Sequence, residues 1–586
     1  MGQVRRSILF ASLLAAMPGL AVSQTPPSCH VDEMRDQLPP EQLPWPLKLS
    51  GIGNASLKIT ARREAREWFN QGLNLLHDFW DYESARAFQQ GIRADPNCAM
   101  CYWGLYQAQS NYHSTEGGYA TASLAKAQQL ARRASRAERL YIEASVAHEK
   151  AVGPTRRQDT EEIRLLRELV TRYPRDLQAK IYLANAVQDG FDANGEPRAG
   201  QREALALFHK IIEIDPRNSA AHHYLVHSLE FAHPEQAMES AQVLASLAPA
   251  SGHIVHMPGH IYYRLGDYAR AEQAFTRSLE IDERYMREQA VSADDDWNYV
   301  HNLMYAIANL LEEGKIRRAE QLSQKLVVAR GELPSTMYTF SVRDSISRID
   351  PSLPVALRIA DWAKALELSK ASAEPAQPNL RFLKQSLATF AEGMLAAGKG
   401  DAAAAEESFR VFDAQLTDAN KRASAPMPAP SGGGSGVPQI QVMPDALLSS
   451  LVGHLSVMSL ELHGSVLLLK GQHAEGRMIF TQAAEQEKAL GYREPPQSIR
   501  PVGEAEAAAL LAAQDWSNAL TAYKAALAER PRSGFPLFGI AMSHERAGDV
   551  PAAVAAYTEF MGAWKDADAD LPQLAHAQSY LAEHRG

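Results

Sequence analysis

Apolar residues recur three and four positions apart along most of the chain, with no convincing strand-like alternation between them. That spacing gathers apolar side chains on one stripe of an α-helix and predicts an all-α protein. The stripes come in pairs. REWFNQGLNLLHDFWDYESARAFQQGIRADP reads as two amphipathic helices around a short turn, closed by Pro96. Further pairs follow at a fixed period: Pro216 to Pro249 is 33 residues, and Pro249 to Glu283, in the same slot, is 34. Helix pairs that repeat at such a period cannot bury their apolar faces alone and stack into a solenoid.

The period divides the chain. Residues 24–60 are a Pro-rich lead-in, ordered only if it packs on the repeats, and 61–330 form an N-terminal repeat block. The period blurs over 331–422, leaving a less regular helical middle, and 423–443 is a flexible Pro/Gly/Ser loop. Residues 444–586 form a second repeat block.

Composition narrows the class. With 46% hydrophobic and 22% charged residues the chain suits a soluble protein, and a net charge of −10 without a Lys/Arg block argues against nucleic acid as partner. Arg5 and Arg6 precede an apolar run from Ile8 to Leu20, and Ala21-Val22-Ser23 suits cleavage before Gln24. Residues 1–23 therefore read as a signal peptide, and the mature chain is expected to be periplasmic or secreted. No other run is expected to span a membrane. Cys98 and Cys101 fit a local disulfide in an oxidising compartment, with a redox or metal role as the lesser reading, and Cys29 is left over.

Histidine is the unusual feature. Seven of the 19 lie between His222 and His260, and His301 follows. Residues four apart share a helix face, about 5–6 Å between Cβ atoms. His223 with His227, and His256 with His260, can each present two imidazoles, and these helices are neighbours in the stack. Three or four rings could then meet at one ion, for which imidazole suits Zn, Cu or Fe. The metal candidates are His223, His227, His256 and His260; Glu230, His253, Tyr263, His301 and Asn302 are candidates for ligand binding or support. The alternative is a set of polar groove residues bonded to one another. Pro258-Gly259 threatens to bend the second pair out of line, and His222 and His233 lie off the face.

DPNCAMCYWGL, HHYLVHSLE, HMPGHIYYRLGDY, NYVHN, YREPP and PLFGIA together resemble the large secreted tetratricopeptide (TPR) repeat proteins of bacteria. The resemblance covers most of the mature chain and departs at the Gly/Ser stretch 431–436. It implies a TPR-like solenoid, with the histidine positions on its concave groove, and supplies no settled activity. Two functions follow as expectations. One is an exported scaffold binding a peptide, protein or small-molecule ligand in a groove centred on the histidines. The other is a metal-dependent enzyme, of oxidase or hydrolase type, with its ion on the groove histidines.

Overall fold

The computed structural model describes residues 39–112, 119–151, 160–293, 296–329, 341–423, 446–491, 495–496 and 498–584. The expected leader at 1–23, residues 424–443 of the loop and the 492–494 part of the Glu-Pro-Pro segment lie outside the described residues. The described residues form helices and turns and no strand, as the apolar spacing predicts.

A repeated packing device builds the helix pairs. Gly72 lies under the Phe88 ring, Gly259 under Phe275 and Gly464 under Phe480, at the same sequence offset each time. A Cβ at Gly259 would stand 2.4 Å from Phe275, so glycine there allows the two helices to approach. The turns repeat as well. Gly266 and Gly548 take left-handed φ, each followed by an aspartate that accepts a hydrogen bond at the start of the next helix. This is the glycine C-cap joined to an N-cap. Ala360-Asp361 and Gln514-Asp515 make the same turn without glycine.

The described part of the lead-in, residues 39–60, packs on the repeats. Asn74 binds both backbone groups of Ala55, Ala250 N–H donates to Gly51, and Asn54 meets Ser219 and Asp215. The middle starts with the short helices Val342–Ile349, Leu353–Arg358 and Trp362–Ala371, then runs a long pair, Pro378–Gly398 and Ala402–Ala423. Cys98 and Cys101 are joined in a disulfide.

One apolar stretch bears on the expectation about membrane spans. The stretch Leu447–Leu469 is long and apolar enough to cross a membrane by length and composition. Its apolarity has another outlet in this fold, because Leu451, Leu455 and Leu462 are fully buried in the protein core.

Candidate metal centre

Three successive first helices of the repeat pairs supply the site: Ser219–Leu229, Gly252–Arg264 and Trp297–Glu312. Each start is fixed by a side-chain cap, Asn218 to Ala221 N–H, Ser251 to Ile254 N–H and Asp296 to Tyr299 N–H. Capping sets where each helix begins and hence which way its histidines face. The Gly252–Arg264 helix runs through Pro258 without a break, and His256 and His260 still meet.

The histidines meet in two groups of three. His223, His227 and His253 form one, and His256, His260 and His301 the other, with the ligand atoms of each within 4.8 Å of one another. The four metal candidates are thus divided two and two, and His253 and His301 complete the sets. The groups adjoin: the His253 and His256 rings are 5.6 Å apart and those of His227 and His260 6.1 Å. All six rings are buried, whereas a concave groove would leave them open to solvent. The Phe79 ring packs on His223, His227 and His253, Trp297 on His253 and His301, and Tyr305 on His256, His260 and His301.

The Nδ1 atoms are held from outside. His223 Nδ1–H donates to the His77 carbonyl at 2.6 Å and His260 Nδ1–H to Glu230 Oε2 at 2.7 Å. His256 Nδ1 faces Asn302 Oδ1 at 2.8 Å, and His253 Nδ1 faces Asn298 Oδ1 at 3.2 Å. Both amides are oriented, since Asn302 donates to the Phe275 carbonyl and Asn298 to Asp282. A neutral imidazole carries one proton. With it on Nδ1, the Nε2 of each of these four rings presents a lone pair.

Those lone pairs point at one another. His253 Nε2 is 3.1 Å from His223 Nε2 and 3.5 Å from His227 Nε2, and His256 Nε2 abuts His260 Nε2. Two acceptors at such a distance repel unless a cation stands between them. Protons are a poor candidate: burial above all, then the neighbouring imidazoles, hold His253 and His256 well below the ordinary histidine range. Around a tetrahedral ion with metal–nitrogen bonds of 2.0–2.1 Å, ligand nitrogens sit about 3.3 Å apart. Two of the three pairs in the first group are close to that spacing.

Glu230 joins the two groups, with Oε2 on His260 and Oε1 3.7 Å from His227 Nδ1. Asn302 supports a ring rather than facing an open site. Tyr263 belongs to neither group; its buried ring stands 5.9 Å from Tyr305, one layer behind the histidines. His222, on Ser240 and the Pro216 carbonyl, and His233, on the Gly195 carbonyl, hold loops and helices together. Sequence reasoning missed His77, Phe79, Trp297, Asn298 and Tyr305. Asn298 had a local signal, standing four residues before Asn302 and three before His301 on one helix; Phe79 had none.

Residues 254–285, which span the second histidine helix and its partner, match the tetratricopeptide repeat family model. Among solved structures, yeast Tom70 is 11% identical over 89% of this chain and 96% of its own, with a TM-score of 0.26. The P58(IPK) TPR domain is 14% identical over 70% and 99%, at 0.19, and Naa15/Naa10 bound to HypK-THB is 13% identical over 77% and 66%, at 0.26. At such scores no function passes from those proteins to this chain. No curated protein matches it. The chain therefore has an all-α, TPR-like fold, and residues 254–285 are similar to a tetratricopeptide repeat.

Proposed function

We propose that this chain is a metalloprotein in which a TPR frame holds two adjacent transition-metal ions, one on His223, His227 and His253 and one on His256, His260 and His301. The observation that carries this reading is the set of Nε2 atoms facing one another inside a buried core, with Nδ1 set against acceptor oxygens. All-imidazole sets suit Zn, Cu or Fe. Three protein ligands leave a coordination position open for water or another small molecule, which favours a metal-dependent enzyme of oxidase or hydrolase type over passive storage. His77, Glu230, Asn298 and Asn302 would fix tautomer and ring orientation, as carbonyl and carboxylate partners of metal-bound histidine do. Export remains part of the proposal, on the apolar run from Ile8 to Leu20.

A second reading, an exported scaffold binding a peptide or protein, draws on the repeat match at 254–285. A fold alone does not assign such a role, and burial of all six rings weighs against a peptide lying on the histidines.

The test is elemental analysis of the purified chain after separate exposure to zinc, copper and iron salts and exhaustive dialysis. About two ions per chain are expected for at least one metal, lost when His227→Ala and His260→Ala are combined. Retention no greater than in the double variant, for every metal, overturns the reading.

A further inference from the structure

The turn between the helices Arg63–His77 and Asp81–Ala94 contains a residue in an unfavourable conformation. Phe79 has φ 56°, in the left-handed region. Its N–H donates to the Leu76 carbonyl and that of Trp80 to Leu75, the pattern that Gly266 and Asp267 make with Tyr263 and Tyr262, and Gly314 and Lys315 with Leu311 and Leu310. In those two turns the slot holds glycine, which takes this conformation freely, whereas the small Ala360 and the flexible Gln514 fill it in two others. A residue with a Cβ there is strained. Strain of this kind persists where the surroundings require it.

What the position supplies is a ring. Phe79 lies with its centroid 4.6 Å from His223, 5.4 Å from His227 and 5.4 Å from His253, all three imidazoles of the first group. Against His227 and His253 the planes are within 30° of parallel, an offset stack. The turn is tied to the site at both ends. The His77 carbonyl accepts from His223 Nδ1, and the Phe79 carbonyl accepts from Trp297 Nε1 at 2.8 Å.

The surroundings of this turn are aromatic too. Trp80 and Trp297 flank it and are both part-exposed, and the Trp80 and Tyr285 rings meet edge to face at 4.5 Å. Two carboxyls lie close to the turn. Burial raises the Asp78 carboxyl well above its ordinary range, and Glu83 is paired with Arg86 and Tyr285.

We propose that Phe79 is a built-in placeholder for the ligand, and that the first histidine group receives a small, planar, uncharged aromatic molecule of the phenol class. Such a ring enters between Trp80 and Trp297, displaces Phe79 and stacks on His227 and His253 in its stead. Phe79 is then a specificity-determining residue. The proposal rests on the metal-centre reading for its chemistry but not for its test, because stacking on imidazole does not need the ion.

The experiment titrates phenol, and cyclohexanol as a non-aromatic control of similar size, into the wild-type chain, Phe79→Gly and Phe79→Leu by isothermal calorimetry, with and without metal loading. Glycine suits the left-handed turn, so removing the ring leaves the backbone unstrained; a chain found unfolded by circular dichroism is replaced by Phe79→Ala, which keeps the Cβ. Phenol should bind Phe79→Gly roughly ten-fold or more tightly than wild type, Phe79→Leu should not gain, and cyclohexanol should gain much less than phenol. Equal binding of phenol by wild type and Phe79→Gly overturns the proposal. So does an equal gain by cyclohexanol, which would mark an indifferent cavity. If elemental analysis finds no metal in any chain, the metal-centre reading fails, and the metal-free titrations still decide the role of Phe79.

Discussion

His260 Nδ1 and His227 Nδ1 turn toward the two oxygens of one carboxylate, Glu230, so a single side chain orients a ring in each histidine group. Replacing it with glutamine keeps the size and an acceptor oxygen but removes the charge that makes each imidazole a better donor of electrons to an ion. Partners of this kind are worth about 10–100-fold in metal affinity. Glu230→Gln is therefore expected to weaken metal retention in chelator competition by that order while leaving the helical signal and melting temperature near wild type. An unchanged chelator curve would reduce Glu230 to a packing residue. Asn302→Leu should affect the second group alone, since Asn302 holds His256 and reaches no ring of the first.

The helix Gly252–Arg264 supplies three of the six rings, and its seating depends on Gly259. Alanine there would drive a Cβ into Phe275, a rigid ring fully buried beneath Tyr305. Overpacking of this sort costs about 1–3 kcal/mol, and the displacement falls between His256 and His260. Gly259→Ala should lower the melting temperature and cut metal content toward one ion per chain, because the first group draws two rings from the neighbouring helix. Gly562→Ala is the control: a Cβ meets nothing within 4 Å in its helix, and it should stabilise slightly. This element was legible in the sequence in most respects. The apolar stripe and the four-residue histidine spacing both reflect contacts within one helix pair. How the rings are shared was not legible. His253 joins His223 and His227, and His301 joins His256 and His260, because of the rotation from one repeat to the next, which no spacing along the chain records. Phe79 reaches the site from a distant repeat, and its left-handed turn leaves no residue pattern to read.

The second repeat block packs against the C-terminal end of the third histidine helix. Glu312, the last residue of Trp297–Glu312, binds Arg358 from the middle of the chain, Arg530 and Ser533 from the second block, and its carbonyl accepts from Trp564 Nε1. Arg358 in turn meets Glu504. The whole group is buried, so removing one partner strands the others, a loss of about 3–5 kcal/mol for a buried pair. Its response to acid follows from the carboxyl of Glu312. Burial alone would raise that group, but Arg358 and Arg530 prevail and hold it at about 2, against 4.5 for an ordinary glutamate. A carboxyl depressed on folding stabilises the native state above its unfolded value and loses that contribution as the pH falls toward its folded value. Between about pH 4.5 and about pH 2 the unfolded chain therefore binds a proton that the folded chain does not. The wild-type melting temperature should drop steeply across that window. In Glu312→Gln it should be lower at neutral pH and flatter through the same range, since the titrating group is gone while the arginines remain buried. Because His301 sits on the helix that Glu312 terminates, the acid transition should release metal from the second histidine group first, with the neighbouring group following only on general unfolding. Melting curves of equal pH slope in the two chains would place the acid-sensitive contact elsewhere in the solenoid.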